Sequence, residues 1–136
     1  MAQPPAPVVA VINSNDEIVE MLRLSFERAG LLVVSAHADA IKRGEVNLTD
    51  FVKVHKPQVI VFDLVPPYDR SYRFVEHLRD TGMLDGSRFV LTSTNPKKAQ
   101  ELAGMTEEIF EIVGKPYDLD QITRAVKEAS RARPTK

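Results

Sequence analysis

Short apolar runs rich in β-branched residues recur along the chain, separated by segments in which apolar positions follow a helical spacing. Val8-Val9-Ala10-Val11-Ile12 is the first run, and residues 31–34, 59–62, 89–91 and 109–113 repeat its character. A run with no polar alternation marks a strand covered on both faces, as in a parallel sheet. The first intervening helix is expected over residues 16–29: Ser14 and Glu17 offer a capping box, Ile18, Met21, Leu22 and Phe26 an apolar face, and Gly30 a C′ residue. Asn47 would cap a short helix over residues 48–55, after a polar stretch at 39–46 that is longer than an ordinary connection. Phe74, Val75 and Leu78 mark a third helix ending near Thr81-Gly82, and Asn95-Pro96 supplies a cap with proline at N1 for a short fourth. Asp118 and Gln121 pair as a cap for the fifth, whose face carries Leu119, Ile122, Val126 and Ala129.

Five strands alternating with five helices give an α/β chain of (βα)5 type, whose usual solution is a doubly wound, flavodoxin-like parallel sheet with strand order 2-1-3-4-5. Chemistry in such a sheet is sought outside the carboxyl ends of the strands, near the switch point between the first and third. The residues at those ends are Asn13-Ser14, Asp63, Thr92-Ser93 and Lys115-Pro116.

Composition narrows the possibilities. A chain of 136 residues suits one domain, here expected over residues 8–130, with a proline-rich flexible arm at 1–7 and a basic tail at 131–136 that reads as a frayed helix end or a cut linker. Eighteen basic against nineteen acidic residues leave a net charge of −1, without the electrostatic footprint that direct nucleic-acid or anionic-membrane binding needs. No apolar run approaches the roughly 20 residues that span a bilayer. The absence of cysteine excludes disulfides, thiolate metal sites and a cysteine nucleophile, and cytoplasm is the default expectation.

Three motifs at the strand ends, Val61-Phe62-Asp63-Leu64-Val65-Pro66-Pro67, Leu91-Thr92-Ser93 and Gly114-Lys115-Pro116-Tyr117, together resemble the receiver domain of two-component response regulators. The order and spacing match over residues 8–129. The resemblance implies that Asp63 accepts a phosphoryl group from a histidine kinase or phosphotransfer protein. Thr92 and Lys115 would serve the transferring oxygens, whose charge dominates the barrier. It also implies a Lys115–Pro116 bond that is commonly cis, and a Mg²⁺ ion held by Asp63, the Val65 carbonyl and residues just after the first strand. Any catalysis would be limited to self-catalysed transfer and autodephosphorylation.

The chain departs from the pattern in three places. Receivers usually carry two acids after the first strand; Asn13 and Ser14 stand there, so two ligand charges are missing and Mg²⁺ is expected to bind weakly. Asp16, a turn further on, could help through water or simply compensate a helix N-terminus. Ile112 occupies the position of the usual aromatic switch, and Tyr68-Asp69-Arg70-Ser71 makes a bulky loop where a Gly-rich turn is usual.

Plainer readings accompany each residue. Ser14 serves equally as a helix cap or a site remnant, Thr92 alone is a β-former, and Lys115 alone is a surface lysine. His37, His55 and His77 lack metal-ligand spacing, and Tyr117 suits packing. Two functions stay open: a phosphoryl-accepting receiver, and a pseudo-receiver that works by protein contact alone. A flavodoxin-type cofactor site is disfavoured, because Asn13-Ser14-Asn15-Asp16 contains no glycine. Output is expected to reach an effector protein or a second copy through the face of the fourth helix, fifth strand and fifth helix, with Lys97, Lys98, Phe110 and Arg124 as candidate anchors.

Overall fold

The computed structural model describes residues 6–80, 87–104, 109–116 and 118–131. The expected helix end at Thr81-Gly82, Tyr117, residues 1–5 of the arm and residues 132–136 of the tail lie outside the described residues. The element order is β1 (Val8–Asn13), α1 (Asp16–Arg28), β2 (Leu32–His37), α2 (Ala38–Lys42), α3 (Leu48–His55), β3 (Val59–Leu64), α4 (Tyr68–Asp80), β4 (Arg88–Ser93), α5 (Pro96–Ala103), β5 (Ile109–Gly114) and α6 (Leu119–Arg131). All strand pairings are parallel, in a five-stranded sheet ordered β2-β1-β3-β4-β5.

Strand alternation divides the buried residues into two layers. Val9, Val11, Val59, Val61, Val90 and Val113 meet Leu22 and Phe26 of α1 and Ile122 and Val126 of α6 on one face. Ala10, Ile12, Ile60, Phe62, Phe89 and Leu91 meet Val52 of α3, Val75 and Leu78 of α4 and Ala99 of α5 on the other. A strand buried on both faces needs apolar residues at every position, which is why the runs lack alternation.

Several local expectations are corrected. Asn15, not Ser14, caps α1: its Oδ1 accepts from the amides of Glu17 and Ile18 at 2.9 and 3.1 Å, while Ser14 is exposed. An asparagine one position nearer the helix reaches both amides. The polar stretch before α3 contains the extra helix α2, capped by His37, whose Nδ1 accepts from the Asp39 amide at 3.1 Å. Residues 68–71 are the first turn of α4 rather than a loop. At α6, Asp118 Oδ1 takes the Asp120 amide at 2.7 Å. The caps at Asn47 and Asn95, with Pro96 at N1, are as expected, and Gly30 follows α1 with φ 89°. β2 to β5 run one to three residues past their apolar runs, because parallel pairing continues through polar ends.

Phe26 is fully buried, so Phe26→Ala should lower unfolding stability by roughly 3–5 kcal/mol in urea denaturation. Val54→Ala, at a position 74% exposed, should change it by less than about 0.5 kcal/mol.

Candidate functional site

Alternation along the strands selects the side chains that gather at the carboxyl edge. Asn13, Asp63 and Thr92 are the next residues of the same parity beyond Val11, Val61 and Val90, and those valines face α1 and α6. Asp63 lies directly beside Thr92 in the β3–β4 register. β5 begins with the other parity: Ile109 pairs with Phe89 and both pack on the α3–α5 face, so regular alternation would carry Lys115 to that face. One extra residue is absorbed between Phe89 and Val90, which then pairs with Glu111. The bulge puts Val113 beside Thr92 and on the α1–α6 face, so Lys115, two residues on, shares the parity of Asp63. The Lys115 amide donates to the Ser93 carbonyl at 2.8 Å, carrying the ladder one step further, and Lys115–Pro116 is cis.

Asp63, Thr92 and Lys115 therefore come together. The Thr92 hydroxyl donates to Asp63 Oδ1 at 2.7 Å, and the Lys115 ammonium stands 2.6 Å from the same oxygen. The side chains of Asp63 and Lys115 are 7% and 21% exposed, and Thr92 is buried. A carboxylate this far from water needs compensating charge and donors, and this pair of partners provides both. Asp63 Oδ2 makes no hydrogen bond among the described residues.

The loops around the site are tied by side chains that strand-end motifs did not reveal. Asn13 Oδ1 accepts from the Asn15 amide at 2.9 Å, and Ser93 Oγ accepts from the Asn95 amide at 3.0 Å. The β1–α1 and β4–α5 connections thus share one design, in which the last strand residue satisfies the amide of the following cap. Ser71, almost buried in the first turns of α4, accepts from the Val65 amide at 3.2 Å. The Tyr68 hydroxyl meets Thr94 Oγ1 at 2.8 Å, and Asp69 lies 3.8 Å from Lys98, so the start of α4 is joined to the β4–α5 corner. A hydroxyl one turn beyond Pro66-Pro67 was the only sequence signal for Ser71.

These donors fit a tight Mg²⁺ site poorly. Asp63 is the single carboxylate at the centre, and its Oδ1 already faces Lys115 and Thr92. The Asn13 carbonyl is engaged by backbone, and Asp16 is 89% exposed with His37 Nε2 at 3.9 Å. No group of three or more histidine and acidic side chains among the described residues is arranged to hold a metal ion. A hard cation of this kind favours carboxylate ligands, and only one is in place.

No protein-family model matches the chain, and neither does any curated protein. Solved structures do. The receiver domain of a Francisella response regulator superposes with a TM-score of 0.72 at 18% identity, covering 92% of this chain and 97% of that one. A response regulator from Thermotoga maritima gives 0.73 at 16% identity, with 93% and 99% covered. A Vibrio cholerae chemotaxis protein gives 0.71 at 18% identity, with 91% and 98% covered. At such identities the likeness is one of fold: the chain has the fold of response-regulator receiver domains.

Lys115→Met would leave the Asp63 carboxylate nearly buried with only Thr92 beside it, and should destabilise the fold by about 3 kcal/mol. Adding Asp63→Asn should recover a large part of that loss. A double variant no more stable than the single one in denaturant would show that Lys115 matters for packing rather than charge.

Proposed function

We propose that the chain is a receiver-type signalling module in which Asp63 accepts a phosphoryl group and reports its occupancy by protein contact. The observation that carries this reading is the 2.6 Å approach of Lys115 to an Asp63 carboxylate already hydrogen-bonded by Thr92 at the end of a central strand. The fold shared with response regulators supports it.

The chemistry follows from the arrangement. Asp63 Oδ2, which has no partner among the described residues, would attack the phosphorus of a phosphohistidine on a kinase or phosphotransfer protein. The new O–P bond forms as the P–N bond breaks, and the imidazole leaves with a proton taken up at its freed nitrogen. Lys115 pairs with the carboxylate before transfer and then with a phosphoryl oxygen, while the Thr92 hydroxyl turns from Oδ1 to another. Lysine suits this role because its charge is compact and its stem mobile.

Ile112 stands where an aromatic switch would be, so output is assigned to displacement of the β4–α5 corner rather than to rotation of a ring. That corner adjoins the face of α5, β5 and α6, where Lys97 and Arg124 are exposed and Lys98 and Phe110 half-buried. An effector protein or a second copy of the chain would dock there. No helix among the described residues is long and apolar enough to cross a membrane, and a cytoplasmic location is part of this proposal. One observation favours a second reading, a phosphorylation-independent contact module: the Asn13 carbonyl, at a position usually acidic, is engaged by the Asn15 amide.

Incubation with a small phosphodonor such as acetyl phosphate, followed by intact mass, should add one phosphoryl group to the native chain and none to Asp63→Asn. Absence of the adduct under all divalent-ion conditions would favour the second reading. Calorimetry should find weak Mg²⁺ binding, tightened roughly tenfold or more by Asn13→Asp with Ser14→Asp, as added carboxylate charge implies.

A further inference from the structure

The segment from α2 to the start of α3 stands away from α4 and leaves a groove of about 530 Å³ between them. This volume lies within the range of about 300–1,000 Å³ typical of small-molecule sites. Its apolar part is made by Ile41, Val46, Leu48 and Phe74. Its charged part comes from α4, where Arg70, Arg73 and His77 lie with Phe74 on one helical face at spacings of three, four and seven.

The charge in this groove is unbalanced. Neither Arg70 nor Arg73 has an ion-pair or hydrogen-bond partner among the described residues. Three acids of the flanking segments are engaged elsewhere, Glu45 by Arg43 through two bonds of 2.9 and 3.1 Å, Asp69 by Lys98 at 3.8 Å, and Glu76 by Arg79 at 3.9 Å, and the exposed Asp50 of α3 is outside the groove lining. The Arg43 hydrogen bond also holds the Glu45 carboxyl below the usual carboxylate range, so it stays ionised and paired. A second, narrow crevice shares Arg70 and Phe74 with the groove and is lined as well by Lys42, Ser71 and Val65-Pro66-Pro67, just past Asp63. Two exposed arginines one helical turn apart can present guanidinium forks of the kind that bind phosphate oxygens. Phe74 beside aliphatic side chains offers a surface to a flat ring.

We propose that this groove binds a nucleoside phosphate, with Arg70 and Arg73 on the phosphate and the base against Phe74, Ile41 and Val46. The site is separate from Asp63 and does not rest on Asp63 being phosphorylated. Its connection to the acceptor loop runs through Ser71, whose hydroxyl holds the Val65 amide. A bound nucleotide would therefore bias the conformation of that loop.

The test is a titration of the full chain with ADP and GDP, read by calorimetry and amide chemical shifts, with inorganic phosphate as the control anion. Saturable binding with shifts confined to residues 41–49 and 65–77 is expected. Arg70→Ala and Arg73→Ala should each weaken it by roughly tenfold or more, as the loss of a charge-assisted hydrogen bond implies. Thr49→Glu on the rim should weaken it as well, and Arg28→Ala on α1 should leave it unchanged. The four positions are at the surface, and circular dichroism of each variant reports whether the fold is kept. Three results would overturn the proposal: no saturation below about 1 mM, which is too weak for a formed site; inorganic phosphate binding as tightly as the nucleotides; or shifts that map to another surface.

Discussion

A carboxylate that is only 7% exposed at the end of the middle strand constrains everything around it. Left alone in such a place it would be costly, so a cation and a donor must arrive from neighbouring strands. Thr92 arrives through the β3–β4 register, and Lys115 through β5 and the hydrogen bond of its amide to Ser93. The order β3-β4-β5 is thus more than a packing solution. It brings Thr92 and Lys115, distant in sequence, onto one oxygen atom of Asp63, and changing the order or register would strand the charge.

The loops that frame this centre satisfy themselves. Asn13 and Ser93 each close a small turn onto the amide of the next helix cap, Asn15 or Asn95, and the two connections match in burial as well as in bonding. Such turns meet their polar groups from within. On the β1 side the connection Asn13-Ser14-Asn15 carries no formal charge, while the opposite corner is tied to α4 by Tyr68 and Lys98. The centre is consequently asymmetric: one side is closed by backbone bonding, the other by contacts between side chains that can be exchanged.

Much of the fold was legible because buried parallel strands must be apolar at every position and helix caps use few residue types. The strand order and the placement of Asp63, Thr92 and Lys115 at the carboxyl edge follow from those two facts and the topology of a (βα)5 chain, whereas the bulge in β5 that turns Lys115 to the side of Asp63 left no signal in the sequence. What escaped has physical reasons. Strand ends were too short because pairing continues through polar residues such as Ser35 and His37. Helix α2 is only five residues long and buries none of them fully, so it has no periodic stripe to detect. Ser14 and Asn15 are both good caps, and only the path of the chain decides between them. Residues 68–71 looked like a loop because they follow two prolines, yet the second of them ends in the hydroxyl-anchored turn that starts α4.

The bulge in β5 works like a compensating frameshift. Counted from Ile109, regular alternation would send Val113 and Lys115 toward α3–α5, on the wrong side of the sheet from Asp63. One absorbed residue restores the frame just before it is needed. A single residue gained or lost between Glu111 and Lys115 would turn the lysine to the other side of the sheet from Asp63. Register at the end of this edge strand is thus a condition of the site as much as of the sheet.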